Sequence, residues 1–230
     1  MDTSKINSNH IYNGQVEQDK FILNVLGQKE NGFFVEIGSN DPIQINNTYL
    51  LEKNYKWRGI MIEYEHKYLA GYKKHRPDSI HVINDATAID YKELFDINNV
   101  PVNIDYLQID LEANNGSTIL TLEKVASQIM DHPEKHYKFA TITFEHDIYH
   151  TNYMNTRERS REILSNHGYY CVFEDINNRG VNPFEDWWVH PDLVNMDYIW
   201  ELQAKNQENY KEDEKTGKSI NWQDIQYPMQ

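Results

Sequence analysis

The chain has 230 residues, of which 39% are hydrophobic and 25% charged, which suits one well-buried core and is somewhat short for two. Its formal net charge of −14, from 36 acidic and 22 basic residues, repels phosphate backbones and disfavours nucleic acid as a partner. No apolar run approaches the ~18 residues of a membrane-spanning helix, and the polar N-terminus carries no secretory signal. The lone Cys171 cannot form an internal disulfide, so we predict a cytoplasmic globular protein without a membrane partner.

Short apolar runs alternate along the chain with stretches that have helical character. Five of these runs are predicted to be buried strands, at residues 33–37, 58–62, 80–84, 104–109 and 139–144. Helices are predicted at residues 15–29, from the turn at 41–42 to about 53, at 66–75 and 91–95, from 117 onward, and from about 155 to 166. Strands that alternate with helices in this way imply a mostly parallel sheet covered on both faces.

The last two apolar runs, at residues 169–173 and 186–189, depart from this alternation. The loop between them has no room for the helix that a parallel connection needs, so the two runs are predicted to form an antiparallel hairpin. We therefore predict an α/β fold, a single Rossmann-like domain with a mostly parallel sheet of about seven strands closed by an antiparallel C-terminal hairpin. The domain is expected to span 15–202, between a polar arm at 1–14 and a polar tail at 203–230.

Polar residues follow four of the predicted strands, where ligands bind in doubly wound sheets. The four clusters are Gly38-Ser39-Asn40-Asp41, Glu63, Asn84-Asp85 and Asp110-Leu111-Glu112. Gly38 allows a sharp turn and a close approach of the backbone to a ligand. A carboxylate after the second strand, such as Glu63, can accept hydrogen bonds from both ribose hydroxyls. Alone, each is also compatible with an ordinary turn or a solvated acid, but together they favour a nucleotide site.

A series of motifs in a fixed order resembles the FkbM-type family of class I S-adenosylmethionine-dependent methyltransferases, over about residues 15–200. The matching segments are residues 32–41, 47–53, 57–63, 104–112, 143–147, 157–161 and 184–190. The resemblance implies a class I methyltransferase fold and S-adenosyl-L-methionine as the methyl donor. It also implies transfer to a hydroxyl of a sugar or a small secondary metabolite.

The resemblance and the strand-end positions together nominate site residues. The methionine part of the donor is assigned to the turn at 38–41, its ribose to Glu63, and its adenine edge to Asp85 and Ala86. The full set of predicted cofactor-binding residues is Glu36, Gly38, Ser39, Asn40, Asp41, Thr48, Glu63, Asp85, Ala86 and Asp110. The predicted catalytic residues, for positioning the acceptor and removing its proton, are Asp110, Glu145 and His146.

Some features leave alternatives open. Pro42 stands where the family usually has glycine, and Ala113-Asn114-Asn115 replaces a glycine and an acid, so a non-catalytic binding or scaffold protein with this fold is an alternative. A nicotinamide-dependent oxidoreductase is disfavoured because the Gly-x-Gly-x-x-Gly run is missing. Asp110, Glu145 and His146 would suit Mg²⁺ or Mn²⁺, but no short ligand spacing requires a metal, and no metal ligand is predicted.

Overall fold

The computed structural model describes residues 12–178, 181–213 and 216–229. The helices are α1 Gln18–Val25, α2 Tyr49–Tyr55, α3 Leu69–His75, α4 Tyr91–Ile97, α5 Ser117–Val125, α6 Thr156–Asn166 and α7 Met196–Asn206. The strands are β1 Phe33–Ile37, β2 Arg58–Glu63, β3 Ile80–Ile83, β4 Asn103–Ile109, β5 Lys138–Glu145, β6 Tyr170–Asn178, β7 Val181–Val189, β8 Tyr210–Asp213 and β9 Gly217–Asn221. None of the described helices has the length and apolar character needed to cross a membrane.

The strands form one sheet in the order β3-β2-β1-β4-β5-β7-β6-β9-β8. Strands β1 to β5 pair in parallel, whereas β7 runs antiparallel to both β5 and β6. This arrangement confirms the predicted class I methyltransferase fold and its C-terminal hairpin. The strand order reverses between β1 and β4, which is where an open α/β sheet leaves a crevice for ligands.

The described sheet has nine strands, so the prediction of about seven is too low. Within 203–230, which was expected to be a peripheral tail, the described residues complete α7 and add β8 and β9 to the edge of the sheet. Ile220 in β9 is fully buried beside Ile176 of β6. The sequence shows no alternating apolar pattern there, because β8 and β9, the last two strands at this side of the sheet, bury few side chains. Of the predicted N-terminal arm, residues 1–11 lie outside the described residues, while Tyr12 packs against the core.

Two hydrophobic cores cover the two faces of the sheet. Alternate residues of a strand point to opposite faces, so Phe33 and Val35 of β1 enter one core and Phe34 enters the other. Helices α4, α5 and α6 cover the first face, and α1, α2, α3 and α7 cover the second. Burial on both faces explains why β1 reads as a continuous apolar run rather than an alternating one.

The segment between β1 and α2 is a loop fixed by buried hydrogen bonds, rather than the helix predicted from residue 42. Helix α2 begins only at Tyr49. The fully buried Arg76, at the end of α3, pairs with Glu52 at 2.8 Å. It also donates to Asn46 Oδ1 at 2.7 Å and to Thr48 Oγ1 at 2.6 Å. Because a buried guanidinium needs partners for its donors, it fixes the loop that lies beside the strand ends.

Candidate active site

The four polar clusters predicted at the strand ends meet around one cavity of about 1350 Å³. The predicted site residues that line it are Glu36, Gly38, Ser39, Asn40, Asp41, Glu63, Asp85, Ala86, Asp110 and Glu145. Single-ligand pockets commonly measure ~300–1,000 Å³. The cavity therefore has room for two small ligands side by side.

Gly38 stands where the ends of β1 and β4 approach each other most closely. Its φ of 86° is left-handed, and its N–H donates to the carbonyl of Ile62 at 2.9 Å. A Cβ at this position would lie 1.8 Å from the carbonyl oxygen of Asp110. Only glycine fits such an approach, so this residue brings the polar groups that follow β1 and β4 together.

Glu63 ends β2 at the cavity wall, and only 9% of its surface is exposed. Its Oε2 accepts from the Asn40 N–H at 2.8 Å, and its Oε1 accepts from the Glu65 N–H at 2.8 Å. An ionised carboxylate has about four acceptor positions, so two remain for a ligand. Glu63 thus both holds the turn after Gly38 and keeps acceptor capacity for a ligand.

Glu36 and Thr48 support the cavity in different ways. Thr48 is fully buried and does not line the cavity, which corrects its predicted contact with the cofactor. Its hydroxyl donates to Glu36 Oε1 at 3.0 Å, and Asn46 donates to Glu36 Oε2 at 3.2 Å. Burial raises the pKa of Glu36, while Arg76, Thr48 and Asn46 act to lower it. The loop therefore holds the Glu36 carboxylate in a fixed position beneath the cavity.

Three carboxylates meet where β4 and β5 end. Glu145 shares hydrogen bonds with Asp110 and with Asp147. Burial raises the pKa of both Asp110 and Glu145, that of Glu145 well above its usual range because Asp110 and Asp147 lie beside it. The hydrogen bond from Glu145 lowers the pKa of Asp110. Two carboxylates that share a hydrogen bond cannot both be ionised, so the pair holds one proton, and Asp110, whose pKa is raised less, is the better candidate for a base.

His146 points away from the cavity, so the structure does not bring this predicted catalytic residue together with Asp110 and Glu145 at the cavity wall. It is fully buried and is absent from the described cavity lining. Its Nε2 lies 3.4 Å from carboxylate oxygens of Asp175 and Asp186. Neighbouring residues of an extended chain face opposite sides, so Glu145 faces the cavity and His146 faces the hairpin.

The group formed by His146, Asp175 and Asp186 has the composition of a metal site, with ligand atoms within 4.8 Å of one another. Its carboxylates, however, already pair with arginines of α6. Arg161 donates to both oxygens of Asp186, at 2.7 and 2.9 Å, and Arg157 donates to both oxygens of Asp175 at 3.2 Å. Although burial alone would raise the pKa of Asp186, His146 and Arg161 hold it well below its usual value. This network holds the hairpin against α6.

A second polar part of the cavity lies beyond Asp110 and was not predicted. The Nδ2 of Asn47 donates to Gln108 Oε1 at 2.8 Å, and Gln18 donates to the buried Glu185 at 3.1 Å. Gln18, Asn47 and Gln108 line the cavity, and Glu185 of β7 pairs in register with Glu145 of β5. Gln18 and Glu185 are 167 residues apart in the chain, so no local pattern could have joined them.

Glu185 gives a prediction for the pH dependence of stability. Burial raises its pKa from 4.5 to about 8, so the folded protein holds this proton more tightly than the unfolded chain. Wild-type stability is therefore lost as the pH rises from about 4.5 through 8. Glu185→Gln removes this penalty, and its advantage over the wild type should grow across that window by at most about 5 kcal/mol, at ~1.4 kcal/mol per pKa unit.

Urea denaturation of both proteins at pH 4, 6, 8 and 9 measures this difference. Asp19, whose pKa burial raises to about 7, contributes equally to both proteins and cancels. A difference in unfolding free energy that stays constant with pH would contradict the assignment.

The charge of the cavity wall has one sign. Nine acidic residues line it: Glu36, Asp41, Glu63, Glu65, Asp85, Asp110, Glu112, Glu145 and Asp147. No lysine, arginine or histidine occurs among the described lining residues. The cavity therefore favours cations and neutral hydrogen-bond donors over phosphates and carboxylates.

No protein-family model and no curated protein matches the chain. Among solved structures, a precorrin-6y C5,15-methyltransferase from Geobacter metallireducens is 15% identical, with 76% of this chain and 86% of that chain covered and a TM-score of 0.45. A methyltransferase from Pyrococcus furiosus is 12% identical, with 76% and 82% covered and a TM-score of 0.46. M. jannaschii TYW2 in complex with AdoMet is 15% identical, with 83% and 81% covered and a TM-score of 0.41. Because these values are low, the fold assignment rests on the strand order of the chain itself, and the FkbM resemblance remains a prediction.

Proposed function

We propose that this protein is an S-adenosylmethionine-dependent methyltransferase. The observation that carries the proposal is the cavity at the switch point between β1 and β4. There the turn after Gly38, the carboxylate of Glu63 and the side chain of Asp110 face one space. S-adenosylmethionine supplies a methyl group on a sulfonium, and the residues on three neighbouring strand ends match the parts of that molecule.

Each part of the donor has a counterpart in the cavity wall. The turn from Gly38 to Asp41 would receive the methionine part, and Glu63 would accept from the ribose hydroxyls. Asp85 and Ala86, after β3, would lie at the adenine edge. All of them line the cavity. The negative wall also suits a sulfonium, which carries a positive charge.

The acceptor that fits best is a hydroxyl on a sugar or a small polar metabolite. Amide side chains line the cavity, among them Gln18, Asn47, Gln108 and Asn178, and amides bind hydroxyl groups through both their donors and their acceptor. Asp110 would take the hydroxyl proton as the acceptor oxygen bonds to the methyl carbon. The carbon–sulfur bond breaks at the same time, and its electron pair stays on sulfur. The acidic wall argues against nucleic acid as the acceptor.

Glu63→Ala tests the placement of the donor. Loss of charge-assisted hydrogen bonds at ~1.5–3 kcal/mol each should weaken binding of S-adenosylhomocysteine at least tenfold, as measured by calorimetry. The matched control is Glu162→Ala, which removes the same group from an exposed position of α6 outside the described cavity lining and should leave the affinity within about twofold. Wild-type affinity in Glu63→Ala would remove Glu63 from the site.

A further inference from the structure

The part of the cavity beyond Asp110 contains hydrogen-bond acceptors that no described donor satisfies. Asn47 is 3% exposed, and its Oδ1 is buried with no hydrogen-bond partner among the described residues. The Nδ2 of the same amide is used by Gln108, so the amide oxygen is the group left open. Asp147 Oδ1 is likewise buried and without a partner among the described residues. A buried acceptor without a donor is costly, so these positions favour a ligand that brings hydrogen-bond donors.

The negative charge of the cavity wall also favours a ligand that brings hydrogen-bond donors. Many acids of the cavity wall are already satisfied within the protein: Glu63 accepts two backbone N–H groups, Asp41 accepts two, and Asp85 accepts from Thr87. The carboxylates around Asp110 are different, since Asp110, Glu145 and Asp147 hydrogen-bond mainly to one another, with Glu112 adding its field. Negative charge without a cationic partner is thus concentrated at the ends of β4 and β5.

We propose that the acceptor carries an ammonium group beside the hydroxyl that receives the methyl, as an amino sugar does. The ammonium would lie against Asp147 and Glu145, within reach of the amide oxygen of Asn47, and would leave Asp110 free to act as the base. An ammonium offers three donors and a positive charge, which is what the open groups of this wall lack. This inference rests on the proposed function and narrows its acceptor class.

The first arm of the test compares two analogues of the donor by calorimetry. S-adenosylhomocysteine is neutral at sulfur, whereas sinefungin places an amino group where the donor carries its methyl, facing the acceptor. Sinefungin should bind the wild type at least about tenfold more tightly, given the strength of charge pairs in a partly enclosed site. In the double variant Asp110→Asn/Glu145→Gln this preference should fall below about threefold. A double variant is needed because either carboxylate alone would ionise once its partner is neutral.

The second arm uses three hexoses of similar shape, titrated by saturation-transfer NMR into protein loaded with S-adenosylhomocysteine and kept in EDTA. Glucosamine should bind at least about tenfold more tightly than glucose, and glucuronate should bind least. Equal binding of glucose and glucosamine, or sinefungin no tighter than S-adenosylhomocysteine, would overturn the inference. A strict need for Mg²⁺ in either arm would assign these carboxylates to a metal and overturn it too. Failure of S-adenosylhomocysteine itself to bind would instead contradict the proposed function.

Discussion

Replacing both shared carboxylates, in Asp110→Asn/Glu145→Gln, is expected to reduce methyl transfer by ~10²–10⁴-fold, the usual contribution of a general base. The two groups hydrogen-bond to each other and share a proton. In a single variant the remaining carboxylate loses its neighbour's field and can ionise, so Asp110→Asn and Glu145→Gln alone should each cost less than the pair. The losses of methyl transfer in the two single variants should therefore not add up to the loss in the double variant. Single-turnover transfer of a labelled methyl group to the identified acceptor measures all three.

Binding of S-adenosylhomocysteine shows whether the site stays intact in these variants. Because that product is neutral at sulfur, its affinity should change little when the carboxylates become amides. The matched control is Asp78→Asn/Glu93→Gln, which makes the same chemical change at two exposed positions away from the cavity and should keep full turnover. Full turnover in Asp110→Asn/Glu145→Gln would mean that the base lies elsewhere.

Gly38→Ala should both destabilise the fold and disable donor binding. A methyl group there would lie 1.8 Å from the Asp110 carbonyl oxygen, at a φ of 86°. The backbone strain at this φ and the displacement of the Asp110 carbonyl are together expected to cost about 3–5 kcal/mol of unfolding free energy, which is the upper range for one substitution. Moving the ends of β1 and β4 apart by ~1 Å should also reduce transfer ~10²-fold in the molecules that stay folded.

Gly27→Ala is the control that separates strain from crowding. Gly27 has a φ of 60°, but a Cβ there would meet no atom within 4 Å. The substitution should cost only about 1–2 kcal/mol of unfolding free energy, because alanine disfavours the left-handed backbone conformation. It should leave binding of S-adenosylhomocysteine unchanged. Equal loss of stability in the two variants, as measured by urea denaturation, would show that contact with Asp110 adds nothing.

The sequence was sufficient to predict the fold class and the place of the cavity. Strands β1 to β5 are apolar runs of the right length, and polar clusters follow the first four of them, so the rule for ligand sites in parallel sheets applied directly. Gly38, Glu63, Asp85 and Asp110 accordingly line one cavity. Local patterns of this kind report where a strand ends and what comes next.

Features that depend on contacts far apart in the chain could not be predicted. Residues 145–147 are all polar in the sequence. Only the structure shows that Glu145 and Asp147 hydrogen-bond to each other, whereas His146 is buried behind them. Nothing in the local sequence of α6 links Arg161 to Asp186 of the hairpin, with which it pairs. The pairing of β9 with β6 likewise depends on one buried Ile220 in a polar segment.

Calorimetric titration of the purified protein with S-adenosylmethionine, S-adenosylhomocysteine and NAD tests the central claim most directly. The cavity at the β1–β4 switch point predicts that the first two compounds bind at one site per chain and raise the melting temperature, as native-state ligands do. NAD should show no binding, because the turn after β1 lacks the glycine-rich run that holds a pyrophosphate. No heat and no shift in melting temperature with either adenosyl compound at millimolar concentration, or preferential binding of NAD, would contradict the proposed function.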